Sequence, residues 1–322
     1  MTRAAQTHHA VETLRAGGLV AIPTETVYGL GADASNELAV RRIFAAKRRP
    51  STHPLIVHVA SAQAAHAWAS SFSQHAQALA AAFWPGPLTL IVKRSSKASD
   101  AVTGGQDTVG LRVPAHELTL ELLREFDGGI AAPSANRFGR VSPTTAQHVR
   151  DELGTEVDLV LDGGPCTVGV ESTIIDVSGA APRLLRPGGL ALEAVEACLG
   201  VTVARAQAAT DVRAPGMLES HYAPRAGLSL VEESALADEA QARVASGAKL
   251  VVLARASVTL PEGVTRLTVP HDEGGYARVL YAALREADAG GFDLILAAPP
   301  PDAGLGLAVR DRLTRAAAPR TS

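Results

Sequence analysis

Two cysteines, Cys166 and Cys198, are all that 322 residues contain, and no Cys-x-x-Cys pair occurs. That excludes a disulfide framework and a thiolate zinc site, and it suits a reducing compartment. No apolar run approaches the roughly 18 residues of a membrane-spanning helix. The opening MTRAAQTHHAVETLRAGG lacks the apolar core of a secretory signal. The expectation is a cytoplasmic protein with no membrane partner. A formal net charge of −3 argues against wholesale wrapping of nucleic acid and confines any anion site to a local patch. There is no Walker A sequence and no GxSxG elbow, so neither a P-loop nor a serine hydrolase is supported. No internal repeat or long low-complexity tract appears.

What is present is an ordinary globular composition, 47% hydrophobic and 20% charged, in a chain long enough for two domains. From Leu19 to about Pro187, short β-type runs (LVAI, LIVHV, LTLIVK, VGLRV, DLVLD, STIIDV) alternate with Ala-rich helical stretches. That pattern predicts an α/β domain with a mixed or parallel sheet covered by helices. The periodicity fails between about Ala204 and Arg225, where ATDVRAPGMLESHYAPRAG carries prolines and glycines as a linker does. Beyond it, GLSLV, KLVVLA and FDLILAA alternate with helices near 234–246, 276–289 and 305–317. These predict a small Rossmann-like α/β unit. The expected division is 1–203, a linker or lid at 204–226, and 227–322.

Several stretches carry chemistry. PTETVYGLG follows a strand directly, so its hydroxyls and carboxylate sit where open α/β sheets place ligands. A glycine turn explains the same spacing equally well. Gly29, Gly31 and Ala34 fit a loose GxGxxA fingerprint, but the acidic residue expected about 20 positions on is replaced by the run Lys47-Arg48-Arg49. On the helix from about Glu37 to Arg48, Lys47 falls on the same stripe as Val40, Ile43 and Phe44, which aims it inward. Cations compensating a helix C-terminus are the competing reading. Strand alternation puts His58 with Ile56 on one face of LIVHV, and Thr108, Gly110 and Arg112 on one face of VGLRV. A hydroxyl, bare backbone and guanidinium in line make a receptor for carboxylate or phosphate; a core histidine and a surface arginine are the bland alternatives. Ser134 and Asn136 in APSAN read as binding groups rather than nucleophiles.

Together, PTETVYGLG, AAKRRPxxxPLIVH, FWPGPLTL, VGLRVP, APSANRFGRVSPT, GVESTI and LLRPG resemble the YrdC-like domain of threonylcarbamoyl-AMP synthases, over about Val11 to Gly200. The linker APGMLESHYAP and the last domain resemble the long form of that family. The resemblance implies a YrdC-like twisted mixed sheet, and an enzyme that makes threonylcarbamoyl-adenylate from L-threonine, bicarbonate and ATP. It implies a catalytic tetrad of Lys47, Arg49, Ser134 and Asn136, and a threonine pocket of Thr26, His58, Arg112, Ala132 and Ser172. It places ATP against Arg49, His53, Thr108, Ser134, Ser142 and Arg186, with Tyr222 reaching in from the linker. Position 53 carries His where many relatives carry Asn. The resemblance also implies Mg2+ accompanying ATP, with no ligands assigned, a downstream tRNA-modifying transferase as partner, and at most weak tRNA contact.

Two other classes compete. A non-enzymatic RNA-binding module using the Lys47 to Arg49 patch predicts salt-sensitive tRNA binding without nucleotide turnover. A carbamoyl-transfer domain of the hydrogenase-maturation type contains a related fold but expects zinc-binding CxxC pairs, which are lacking.

Overall fold

The computed structural model describes residues 2–206, 212–217 and 220–319. It divides into two compact units. The first takes in Met1–Phe138, Ser142–Thr167 and Glu171–Met217, and the second Gly139–Val141, Val168–Val170 and Leu218–Ser322. The sequence boundary fell at 203/204. The structure divides the chain inside the expected linker and assigns two short stretches of the N-terminal region to the second unit.

Among the described residues, ten strands form the sheet of the first unit: β1 (Val20–Ile22), β2 (Gly29–Asp33), β3 (Ile56–His58), β4 (Leu88–Lys93), β5 (Thr108–Arg112), β6 (Ile130–Ala131), β7 (Leu159–Val160), β8 (Thr173–Asp176), β9 (Arg183–Arg186) and β10 (Ala204–Arg205). Their order is β10-β9-β8-β4-β5-β3-β6-β2-β1-β7. The sheet is mixed: β3 runs parallel to β5 and β4 to β8, whereas β4 and β5, β8 and β9, and β3 and β6 are antiparallel. One flank is closed by the helices Arg3–Arg15 and Glu117–Phe126. Their Val11, Leu14, Leu122 and Leu123 pack with Val20, Ile22 and Ile130 of the sheet. A second cluster joins Ile56, Ile91, Ile174 and Leu185 to Ala214 of the linker.

Registers decide what shares a face. Ile56 pairs with Gly110 and His58 with Arg112, so the two polar strand faces coincide. A Cβ added to Gly110 would meet Ile91, Ile56 and Thr89 side chains, which places all of these around the same bare stretch of backbone.

The second unit holds a four-stranded parallel sheet of β11 (Gly227–Leu230), β12 (Leu250–Ala254), β13 (Thr265–Thr268) and β14 (Leu294–Ala297), ordered β11-β14-β12-β13. Three of these strands, β11, β12 and β14, are the runs GLSLV, KLVVLA and FDLILAA expected from the sequence. The fourth, β13, is short, polar and at the sheet edge, with only Leu267 buried, so it carries no apolar alternation to detect. Within this unit, the helix Glu273–Ala289 holds the stretch Gly139–Val141: Arg285 donates to the Val141 carbonyl, and Arg140 lies 3.3 Å from Asp288.

Candidate active site

The run Lys47-Arg48-Arg49 shows how local backbone builds a site. Asn36 caps the helix Glu37–Lys47 by accepting from the amides of Leu38 (3.1 Å) and Ala39 (3.2 Å). Arg48 then ends it in the left-handed region, φ 52°, ψ 43°, a conformation that costs a non-glycine residue roughly 1–2 kcal/mol. The reversal turns Arg48 out to solvent while Lys47 and Arg49 are both buried. Lys47 Nζ donates to the carbonyls of Ser134 and Asn136, each at 2.5 Å. Burial first, and Arg49 second, hold its pKa well below the usual lysine range. Arg49 donates to the Pro54 carbonyl at 2.9 Å and lies over the Phe138 ring, whose edge meets His53. Burial and then Arg49 lower the His53 pKa too.

The APSAN segment is zipped to the PTETVYG segment: Leu30 donates to the Pro133 carbonyl (2.7 Å) and Ala135 to that of Tyr28 (2.8 Å). Ser134 is therefore half-buried beside the Lys47 ammonium, and Asn136 is fully buried. Ser142 donates to Glu171 Oε1 at 2.6 Å. A Cβ on Gly188 would strike the backbone of Glu171, Ser172 and Thr173 within 2.4 Å, so only glycine permits the LLRPG loop to press against GVEST. Arg186, at the head of that loop, donates from Nη2 to the Ser172 carbonyl (2.8 Å) and from Nη1 to the Pro215 carbonyl (2.9 Å).

At the other end, Arg112 is 4% exposed. Its Nε donates to the Gly86 carbonyl (3.2 Å) and its Nη1 to Thr26 Oγ1 (2.9 Å). The Thr24 hydroxyl gives its one proton to the Val27 carbonyl at 2.6 Å, so in the 2.8 Å contact between Thr24 and Thr26 it is Thr26 that donates. Arg112 Nη2 lies 2.8 Å from Glu25 Oε1, yet the approach is too oblique for a hydrogen bond, and neither buried atom has another partner. The contact is a charge pair with Nη2–H still to be satisfied. His58, beside Arg112 across the strands, is also buried, with Nδ1 unpartnered. Burial, then the Arg112 charge, lowers its pKa to about 3; the nearby Ile56 and Ile130 backbone favours the cation only weakly. Ser172 Oγ completes the rim at 2.8 Å from Thr89 Oγ1. Ala132 donates its amide to Ile56, leaving a small methyl as wall.

Thr108 is buried and lines a hollow of about 10 Å³ with Gly110, Ile56, Ile91, Arg213 and Pro215. The linker stretch 212–217 thus covers this strand face. It is fastened by Gln106, which accepts from the Arg213 amide (2.7 Å) and donates to the Arg213 carbonyl (3.1 Å). Tyr222 belongs to the second unit. There it is buried at φ 61°, stacked on Tyr281 at 5.8 Å and under the Arg312 guanidinium at 4.9 Å. Residues 207–211 and 218–219 of the expected lid lie outside the described residues. A larger cleft of about 530 Å³ is lined by Thr24, Glu25, His116 and Asp162 among others. The buried convergent groups, rather than that open cleft, define the site.

Sequence reasoning singled out Arg112 and Thr26 but gave no role to Thr24, Glu25, Thr89 or Glu171. Motif spacing named Glu25 without showing that it faces Arg112, since that contact arises only through folding.

Fold and site define an α/β protein with a buried guanidinium, Arg112, at one end of the site and two buried basic side chains, Lys47 and Arg49, at the other. The family model described as "Telomere recombination" matches residues 12–188, and that described as "Threonylcarbamoyl-AMP synthase, C-terminal domain" matches residues 190–318. The threonylcarbamoyl-AMP synthase of Pyrococcus abyssi is 43% identical over 315 residues, covering 94% of this chain and 91% of that protein. The Bacillus subtilis enzyme of the same name is 41% identical, covering 98% and 94%. The crystal structure of P. abyssi Sua5 complexed with L-threonine matches with a TM-score of 0.93 at 40% identity, over 98% of this chain and 95% of that one. The chain belongs to the threonylcarbamoyl-AMP synthase family in its two-domain form.

Proposed function

We propose that this enzyme joins L-threonine, bicarbonate and ATP into threonylcarbamoyl-adenylate, releasing pyrophosphate and water, and that a downstream transferase passes the threonylcarbamoyl group to tRNA. The observation that carries the reading is Arg112: a buried guanidinium pinned on two sides, with Nη2 left to receive a carboxylate. Thr26, His58, Ala132 and Ser172 surround the amino acid. Neutral His58 offers its ring nitrogen to a hydroxyl. The threonine amine attacks the bicarbonate carbon with loss of water, and a carbamate oxygen then attacks the α-phosphorus as pyrophosphate departs.

No enzyme nucleophile is needed, so catalysis is positioning and charge neutralisation. Lys47, Arg49, Ser134 and Asn136 face the phosphates, with His53, Thr108, Ser142 and Arg186 on the nucleotide. Burial disfavours the Lys47 charge, and a neighbouring polyanion would favour it. Among the described residues no three His, Cys, Asp or Glu side chains converge on a metal site. Mg2+ bound to a triphosphate asks for only one or two carboxylates besides phosphate oxygens and water, and the buried Glu171 beside Ser142 is the residue that would hold it. When bound, such an ion would supply charge neutralisation on the leaving pyrophosphate. Pyrophosphate release measured with threonine, bicarbonate and Mg2+ each omitted in turn tests the reading. Release must require all three; ATP cleavage indifferent to threonine overturns it.

A further inference from the structure

Glu25 has no part in the chemistry above, yet its carboxylate touches the group that carries it. Two separately anchored partners are involved. Glu25 Oε2 accepts from the Ala115 amide at 3.0 Å, and Arg112 is held by Gly86 and Thr26. So fixed, Oε1 and Nη2 stand 2.8 Å apart and out of line, both buried, neither hydrogen-bonded. An ordinary buried Arg–Glu pair aligns as a fork and uses up the donors. Here the charge of Arg112 is compensated while its Nη2 protons stay available. The carboxylate's field also reaches Cys166, whose thiol is pushed up to about 12 by burial first and by Glu25 second.

We infer that Glu25 is a specificity-determining residue: by making the empty Arg112 site electrically neutral, it admits an α-amino acid zwitterion and rejects an amine-free carboxylic acid. The inference rests on the threonine reading above. A zwitterion adds one charge of each sign and leaves the buried site neutral. An acid without the ammonium adds an uncompensated negative charge a few ångströms from Glu25, in surroundings where Coulomb terms are several-fold larger than in water. A lone Arg112 would take either ligand, and the simple carboxylate most readily.

The experiment is calorimetric titration, without ATP, of the full-length protein with L-threonine and with 3-hydroxybutyrate, which is threonine lacking its amine. Wild type is expected to prefer threonine by about tenfold or more. In Glu25→Gln, which keeps the shape and an oxygen for the Ala115 amide, the threonine-to-hydroxybutyrate ratio is expected to fall about tenfold, chiefly through tighter hydroxybutyrate binding. A merely structural role would weaken both ligands together and leave the ratio unchanged, and that result overturns the inference. If Glu25→Gln does not fold, wild type decides alone: binding of the two ligands within about threefold of each other overturns it, and a larger preference supports it. Absence of threonine binding to wild type would instead sink the function proposed above.

Discussion

The two ends of the site bury cations in opposite ways. Arg112 is matched by a fixed carboxylate, Glu25, whereas Lys47 is held by the neutral carbonyls of Ser134 and Asn136. A carboxylate partner cancels charge and leaves directional donors, which suits one small ligand chosen by shape and net charge. Carbonyl partners satisfy geometry without cancelling charge, which suits a triphosphate carrying several negative charges. The cost differs as well. Burial lowers the Lys47 pKa well below the usual lysine range, so a bound polyanion would strengthen the charge at that end, whereas Arg112 has its counter-charge in the fold itself.

The largest expected effect comes from the end where carbonyls, not a touching carboxylate, hold the cation. Lys47→Met fills the same volume but supplies no cation, and loss of one such stabilising group typically costs about 100-fold or more in kcat. Pyrophosphate release at saturating threonine should fall by that order while the KM for threonine holds. A shift confined to threonine would erase the distinction between the two ends.

At the compensated end, Arg112→Lys keeps a positive charge opposite Glu25 but loses the fork. The KM for threonine should rise about 10- to 100-fold with little change for ATP, in line with a charge-assisted hydrogen bond of about 1.5–3 kcal/mol. Arg112→Ala should lose as much and also lower the melting temperature, because Glu25 is then buried alone. Unchanged threonine kinetics in either folded variant would place Arg112 outside the pocket.

His58 gives a smaller, pH-dependent effect. Its pKa is depressed to about 3 in the folded protein, against an ordinary value of about 6.5. Between these values the unfolded chain binds the extra proton, so this contribution is complete above about pH 6.5 and is lost progressively as pH falls toward 3. Melting temperatures of wild type and His58→Gln, compared from pH 7 to pH 4, should show a shallower decline in the variant. Parallel curves would mean that His58 is protonated in the fold.

The sequence made the strands and both cationic motifs legible because period-two alternation and helical stripes are local signals. It left register open, and register is what brings His58 opposite Arg112 and sets Gly110 against Ile56. The tether of Gln106 to Arg213 and the contact of Glu25 with Arg112 join residues distant in sequence, so no spacing reveals them. Ala204–Arg205 reads as linker but adds a tenth strand, since two residues are too few to show a period. The assignment of Gly139–Val141 and Val168–Val170 to the second unit also changes how the linker should be tested. A chain cut near Ala206 strips those stretches of their partners. Gln106→Ala, which removes two of the hydrogen bonds that hold Arg213 and keeps the one from its Nη2 to the Gly104 carbonyl, loosens the linker locally and tests its covering role.

The smallest effect concerns the turn on which the phosphate end depends. Arg48 contributes no side chain to the site, but its left-handed backbone lets Lys47 and Arg49 both point inward. Glycine adopts that conformation without the Cβ clash, although it loses more chain entropy on folding. Arg48→Gly should therefore keep the KM for ATP and raise the melting temperature by at most about 2–4 °C, the shift expected for roughly 1 kcal/mol in a domain of this size. Arg48→Val, β-branched and poorly tolerated at positive φ, should lower it and raise the KM for ATP, because relaxing the turn displaces both neighbouring cations. An Arg48→Val enzyme with wild-type ATP kinetics would show that the cations are placed by their carbonyl contacts alone, and the turn would lose its role in the comparison.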